Sequence, residues 1–406
     1  MNSILAAVCW GITGAGRVFY MDYRRFGKTN KYLSVITLGG MRFLHGDDDP
    51  RDQVPEDTLL QCKYAVERAM KSGINHIETA FGYKKSEHAL GIVLNDIPGL
   101  KRKDYYLMTK GSPGTAAETR KLIEQQLKAL KTDYFDFYAW HGINNWDRFH
   151  LACAKNGPVY ELLKLKEEGI IRHTGFSTHA PLDVIIRSIE TELFEFINLH
   201  YYYFFQRNDA AIALAQMKDM GVLIISPNDK GGQLFNPSFK LREITRPLTP
   251  IQWNARFCLS NPAIHTLSFG ITEPEHFDEM TGTFPVSVPL SSPDKKILLR
   301  LDNQRLNDEF SDYDGYDLLN DPSGINIPEM LRLRKMWKCY DMIDFCKYRY
   351  NLFEEHHHWF PGKPASPENV EKINVSNVPK NIPLKDILLE AHHAFCKPDN
   401  KKIKFI

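Results

Sequence analysis

Glu78, Tyr83, Lys110 and His141 carry the four side-chain types from which a proton relay for a carbonyl oxygen can be built. A phenol gives up its proton as negative charge develops on that oxygen, and an imidazole donates a hydrogen bond to the same atom. A free phenol titrates at about 10, and an adjacent lysine ammonium stabilises the phenolate and lowers that value toward working pH. A carboxylate beside the ammonium holds it in place. Any one of these residues alone reads as packed or solvated. Each, however, stands at or just past the end of a short apolar run, over residues 74–79, 105–109 and 135–140. In a barrel of alternating strands and helices, such ends surround the chemistry.

The rest of the chain supplies that scaffold. Residues 32–40 read as a strand closed by glycines, and residues 56–72 carry apolar side chains at helical spacing before Gly73. Strand 74–79 is followed by helix 86–95, strand 105–109 by helix 116–130, and strand 135–140 by helix 158–168. The second half continues with strands at 172–176, 194–199, 222–226 and 266–269, each followed by a helix, at 181–190, 209–220, 250–259 and 274–280. Eight strand–helix units are the count of a closed parallel (β/α)8 TIM barrel, within the α/β class. An open doubly wound sheet is disfavoured, because no strand runs into a Gly-x-Gly-x-x-Gly turn. After Gly282 the character changes. Residues 284–293 are rich in Pro and Ser, and helical stretches follow at 294–308, 328–350 and 384–395. The expected organisation is an N-terminal extension over 1–20, a barrel over 21–283 and a mostly α-helical domain over 284–406.

The 406 residues are 43% hydrophobic and 25% charged, an ordinary globular balance. A net charge of +1 gives no field directed at nucleic acid or an anionic membrane. Seven scattered cysteines without a Cys-x-x-Cys pair argue for a reducing, cytoplasmic setting. No apolar run is long enough for a membrane span. Residues 4–20 are mildly apolar but lack a basic start, so they read as an extension and not as a signal peptide.

Several separate motifs in order give residues 21–280 a resemblance to the aldo-keto reductases: Gly39-Gly40-Met41-Arg42, Glu78-Thr79-Ala80-Phe81-Gly82-Tyr83, Ser86-Glu87-His88-Ala89-Leu90-Gly91, Thr109-Lys110, Trp140-His141-Gly142 and Gly175-Phe176-Ser177-Thr178-His179. The resemblance implies a cytosolic enzyme that reduces an aldehyde or ketone by hydride transfer from NADPH or NADH. Tyr83 would be the proton donor, Lys110 its tuner, Glu78 the partner of Lys110, and His141 the group that orients the carbonyl. The family usually has Asp where this chain has Glu78. Lys84 and Lys85 stand where a glycine and a small residue are usual.

The same resemblance assigns the nicotinamide amide to Ser177, Thr178 and Asn198, with Tyr201 nearby, and Thr178 replaces a more usual Asn. Ser226, Asn228, Lys230, Gly232, Gly270 and Thr272 fall in the loops that hold cofactor phosphates, and Glu279 falls at an adenine-contacting position. NADPH users of the family place a cation near 272 or 273, where this chain has Thr272-Glu273. A carboxylate repels a 2′-phosphate, so NADH stays open. The plainer explanation of Glu273 and Glu275 is an acidic first helical turn.

The tail resembles the family branch that carries a bacterial-ferredoxin-like C-terminal region. The spacing Cys-x2-Cys-x2-Cys-x3-Cys-Pro lies over Ser311, Asp314, Asp317, Asp321 and Pro322, and again over Glu368, Glu371, Asn374, Val378 and Pro379. No ligand position keeps a cysteine, and carboxylates do not hold iron–sulfur clusters. A helical domain of ferredoxin descent without a cluster is expected. The acidic loop around Asp314 and the run Glu354-Glu355-His356-His357-His358 read as solvated segments in preference to metal sites. Two other readings remain beside the reductase. One is a nicotinamide-binding regulatory subunit that meets a protein partner through the tail. The other is an electron-transfer protein, which the missing thiolates disfavour.

Overall fold

The computed structural model describes residues 10–12, 18–44, 50–271 and 273–397. Thr272, the glycine-rich segment 13–17 and the end of the tail lie outside the described residues. Two compact units result, one of residues 1–228 and 251–290, the other of residues 229–250 and 291–406. The segment 229–250, which the sequence pattern places inside the barrel, groups with the second unit.

The first unit is a closed parallel barrel. Its strands are β1 (Ile36–Gly39), β2 (His76–Glu78), β3 (Tyr106–Gly111), β4 (Phe135–His141), β5 (Ile171–Ser177), β6 (Phe196–Leu199), β7 (Gly221–Ile225) and β8 (Thr266–Gly270). Each pairs in parallel with its sequence neighbours, and β8 returns to β1 with Gly270 opposite Gly39. The helices between them are α1 (Glu56–Lys71), α2 (Ser86–Asp96), α3 (Ala116–Leu130), α4 (Pro158–Glu167), α5 (Leu182–Glu190), α6 (Asp209–Met217) and α7 (Pro250–Leu259), and α8 (Pro274–Thr281) follows β8. The strands read as nearly unbroken apolar runs because a parallel sheet wrapped in helices is buried on both faces. Asp136, the one charge inside β4, is buried and paired with Arg102 (2.7 Å) and Arg172 (3.2 Å).

The run 32–40 is two elements and not one strand. Tyr32–Ser34 pairs antiparallel with Tyr23–Arg25, and β1 begins after it. The Ser34 hydroxyl donates to the Ile36 carbonyl (2.6 Å), and the Val35 amide donates to the Asp22 carbonyl as the last bond of the hairpin before the chain bends at Val35 into β1. Arg24 anchors that hairpin by donating to the carbonyls of Leu259 (2.7 Å) and Asn261 (3.2 Å). Phe26, fully buried, then plugs the amino-terminal end of the barrel. Its ring meets Phe137 edge-on at 5.4 Å and Phe196 at 5.6 Å. A side chain at Gly221 would collide with that ring at 2.7 Å, so the glycine admits the plug.

The second unit is built on α9 (Ser292–Gln304), α10 (Ile327–Tyr340), α11 (Ile343–Tyr350) and α12 (Leu384–Phe395). The stretch 328–350 reads as one helix in the sequence but breaks at Asp341, which takes a left-handed conformation (φ 56°). The amides of Asp341 and Met342 cap Trp337 and Met336, a Schellman-type ending that apolar periodicity does not reveal. The two runs with cluster-ligand spacing meet: one Asp321 oxygen accepts from the Ser323 amide and the other from the Asn374 amide, both at 2.9 Å. Glu355 pairs with Lys363 (2.7 Å), and His357 accepts from the amides of Trp359 and Phe360, so this acidic and histidine-rich run forms a turn. No helix among the described residues is long and apolar enough to cross a membrane.

Candidate active site

The carboxyl ends of β2, β3 and β4 bring Glu78, Lys110 and His141 together, and the turn after β2 adds Tyr83. Glu78 and Lys110 are both buried, and the ammonium forms an ion pair with Glu78 Oε1. Lys110 Nζ also donates to the Thr79 carbonyl (2.8 Å) and lies 4.6 Å from the centroid of the Tyr83 ring. The Tyr83 hydroxyl donates to the same Glu78 oxygen across 3.4 Å. The His141 ring meets the Tyr83 ring edge-on at 5.9 Å. Phenol, carboxylate, ammonium and imidazole therefore share one mouth of the barrel.

The electrostatics differ from the sequence expectation. Burial pushes the Tyr83 phenol above its ordinary value, and burial pulls the Lys110 ammonium well below its own. Both shifts come from burial, which disfavours the charged phenolate and the charged ammonium alike. The phenol is thereby kept protonated, which is the form an acid needs.

Lys84 and Lys85 separate in role. Lys84 is exposed with φ 48°, a value that suits the glycine more usual there. Lys85 is only 1% exposed, and its ammonium donates to the carbonyls of Pro50 (2.5 Å) and Gln53 (2.6 Å). In the opposite direction, Arg51 lies 3.8 Å over the Phe81 ring, donates to the Phe81 carbonyl and stands 3.8 Å from Glu87. These two cations fasten segment 50–53 to the turn that carries Tyr83. Lys85→Met should therefore lower stability by about 1–3 kcal/mol, since two carbonyls lose their donor. Urea unfolding reads the loss, and faster protease cleavage at residues 50–53 locates it.

Beside His141, with which it pairs in the parallel ladder, Ser177 Oγ accepts from the Gly142 amide (3.0 Å). The Thr178 hydroxyl is committed to its own turn: it donates to the Ile143 carbonyl (2.6 Å) and accepts from the Ala180 amide (3.0 Å). Asn198 donates to Met108 Sδ (3.3 Å), while its fully buried Oδ1 has no hydrogen-bond partner. Tyr201 stacks flat on Phe257 at 5.8 Å. Past β7, Ser226 takes a left-handed conformation (φ 52°), and both amide atoms of Asn228 are buried without a partner. Gly270 lies under the stem of Arg42, where a Cβ would come within 2.6 Å of Cγ. Glu279 is half-buried on α8.

Lys230 and Gly232 belong to the second unit. There the absent side chain of Gly232 is explained by the Met342 methyl, which a Cβ would meet at 2.2 Å. Glu273 caps α8 in a reciprocal arrangement with His276, which accounts for that carboxylate without a ligand. Thr272 lies outside the described residues.

Sequence reasoning did not single out Arg42, Arg51 or Ser268 as site residues. Ser268 had a signal available: Thr266, Ser268 and Gly270 alternate on one face of β8, and Thr266 already bonds Thr37 across the barrel interior (2.7 Å).

The model of the Aldo/keto reductase family matches residues 35–236. An uncharacterized oxidoreductase of Bacillus subtilis is 23% identical over 250 residues, covering 53% of this chain and 79% of that protein. L-galactose dehydrogenase of Arabidopsis thaliana is 28% identical over 217 residues, covering 51% of this chain and 64% of the relative. The holo form of an aldo-keto reductase from Bacillus halodurans superposes with a TM-score of 0.57 at 19% identity, over 69% of this chain and 96% of that one. That superposition speaks for the barrel alone. The family match spans the three strand ends that bear Glu78, Lys110 and His141, together with the turn bearing Tyr83. This chain belongs to the aldo-keto reductase family.

Proposed function

We propose that this protein reduces the carbonyl group of a small aldehyde or ketone, with Tyr83 as the proton donor and NADPH or NADH as the hydride source. The reading rests above all on Glu78, whose Oε1 takes both the Tyr83 hydroxyl and the Lys110 ammonium and so links the acid to its counter-ion. A carbonyl oxygen placed between Tyr83 and His141 receives a hydrogen bond from each. As charge grows on that oxygen, the phenol transfers its proton. The phenolate left behind lies beside Lys110, whose ammonium stabilises it and, through Glu78, provides the path by which the proton is restored. His141 holds the oxygen in line and contributes as a hydrogen-bond donor to developing charge.

The residues facing this centre suit a nicotinamide. The unpartnered Asn198 Oδ1 is an acceptor in a dry setting, and a carboxamide N–H would complete it. Ser177 stands beside it at the end of β5, and Asn228 and Ser226 offer donors past β7. When bound, the reduced cofactor supplies hydride to the carbonyl carbon. No cation of the 273–276 segment answers a 2′-phosphate, so NADH should raise the melting temperature at least as far as NADPH.

The test combines a thermal-shift comparison of the two cofactors with a panel of aldehydes and ketones followed by loss of NAD(P)H absorbance. Both cofactors should stabilise the protein, and Asn198→Ala should weaken binding about tenfold, the value of one hydrogen bond of about 1.4 kcal/mol. A chain that binds neither cofactor, or binds one without Tyr83-dependent turnover on any carbonyl, overturns the proposal.

A further inference from the structure

Glu78 is one methylene longer than the aspartate usual at its position, and its second oxygen has a definite use. Ser268 Oγ, on β8, donates to Glu78 Oε2 at 2.8 Å, and both residues are buried. The bond passes over β1, which lies between β2 and β8. It can do so because Gly39 presents no side chain there: a Cβ at Gly39 would come within 2.7 Å of Ser268 Oγ. The carboxylate is thus held at both ends. Oε1 faces Tyr83 and Lys110, and Oε2 is tied down by Ser268.

We propose that Ser268 is a positioning residue of the relay, one that fixes the carboxylate plane so that Oε1 meets the phenol and the ammonium together. The inference deepens the reductase reading and rests on it for its catalytic content. Ser268→Ala should lower kcat about tenfold, the equivalent of one hydrogen bond to a charged group. KM for the cofactor should not change, and the alkaline limb of the pH profile should move. Ser268→Thr, which keeps the hydroxyl, should restore most of kcat.

The deciding measurement is a double-mutant cycle with Glu78→Asp, read both in kcat and in the urea unfolding midpoint of the full chain. A shorter carboxylate cannot reach Ser268, so Ser268→Ala should have no further effect when it is combined with Glu78→Asp. Equal effects of Ser268→Ala in the two backgrounds, or an unaltered kcat and pH profile in the single variant, overturn the inference. The unfolding cycle reads the Ser268–Glu78 bond without turnover. Coupling there with no carbonyl reduction by the unmutated chain overturns the reductase reading and, with it, the catalytic role of Ser268.

Discussion

Tyr83→Phe is expected to leave the barrel folded and to lower kcat about 10²–10⁴-fold, the range supplied by one well-placed general acid. The ring stays, so its edge contact with His141 and its place beside Lys110 persist. Only the hydroxyl and its long bond to Glu78 are lost. Cofactor affinity should hold within about twofold, because the Tyr83 hydroxyl bonds Glu78, whereas Ser177 and Asn198 bond Gly142 and Met108. Stopped-flow single turnover separates the two effects. A Phe variant that turns over at the parent rate would place the acid elsewhere, and His141 would be the next candidate.

Lys110→Met should have the largest effect on stability. The thioether fills the volume, but the Glu78 carboxylate is left buried without its cation, and breaking a buried pair from one side costs about 3–5 kcal/mol. Thr79 loses its side-chain donor as well. The urea midpoint should fall accordingly, and, on the proposed mechanism, carbonyl reduction should become undetectable, because the phenolate would have no neighbouring charge. Glu78→Gln in the same chain removes the uncompensated charge and should recover most of the stability but none of the activity. Recovery of neither would mean that Lys110 acts through packing and not through charge.

The barrel could be read from the chain because each of its strands carries an apolar run, each helix an apolar stripe, and the turns between them glycines or polar caps. The ends of the barrel elements shifted by up to three residues, as at the helix expected over 209–220, which ends at Met217. The larger departures occurred where a single backbone geometry overrides the pattern: the bend at Val35 that splits 32–40 and the left-handed Asp341 that splits 328–350. That Glu78, Tyr83, Lys110 and His141 meet was legible because three strand ends, and the turn after one of them, converge at one mouth of the barrel. Their charge balance was not, since it depends on how deeply Tyr83 and Lys110 are buried, which spacing along the chain does not show. Lys85 was the hardest case. In sequence it is a cation in a polar turn, and only the fold shows its stem buried and its head on two carbonyls of a segment more than thirty residues upstream.

The bond from Ser268 to Glu78 joins residues that lie 190 positions apart. Synthesis proceeds from the amino end, so a nascent chain displays its phenol, ammonium and imidazole long before it has made the strand that bonds to their carboxylate. That bond can form only once the eighth strand has docked against the first and the circle is closed. A chain truncated ahead of residue 266 would still contain Glu78, Tyr83, Lys110 and His141 and would lack the Ser268 bond to Glu78. If Ser268 steadies the carboxylate as proposed, activity should report on closure of the barrel more sensitively than secondary-structure content does.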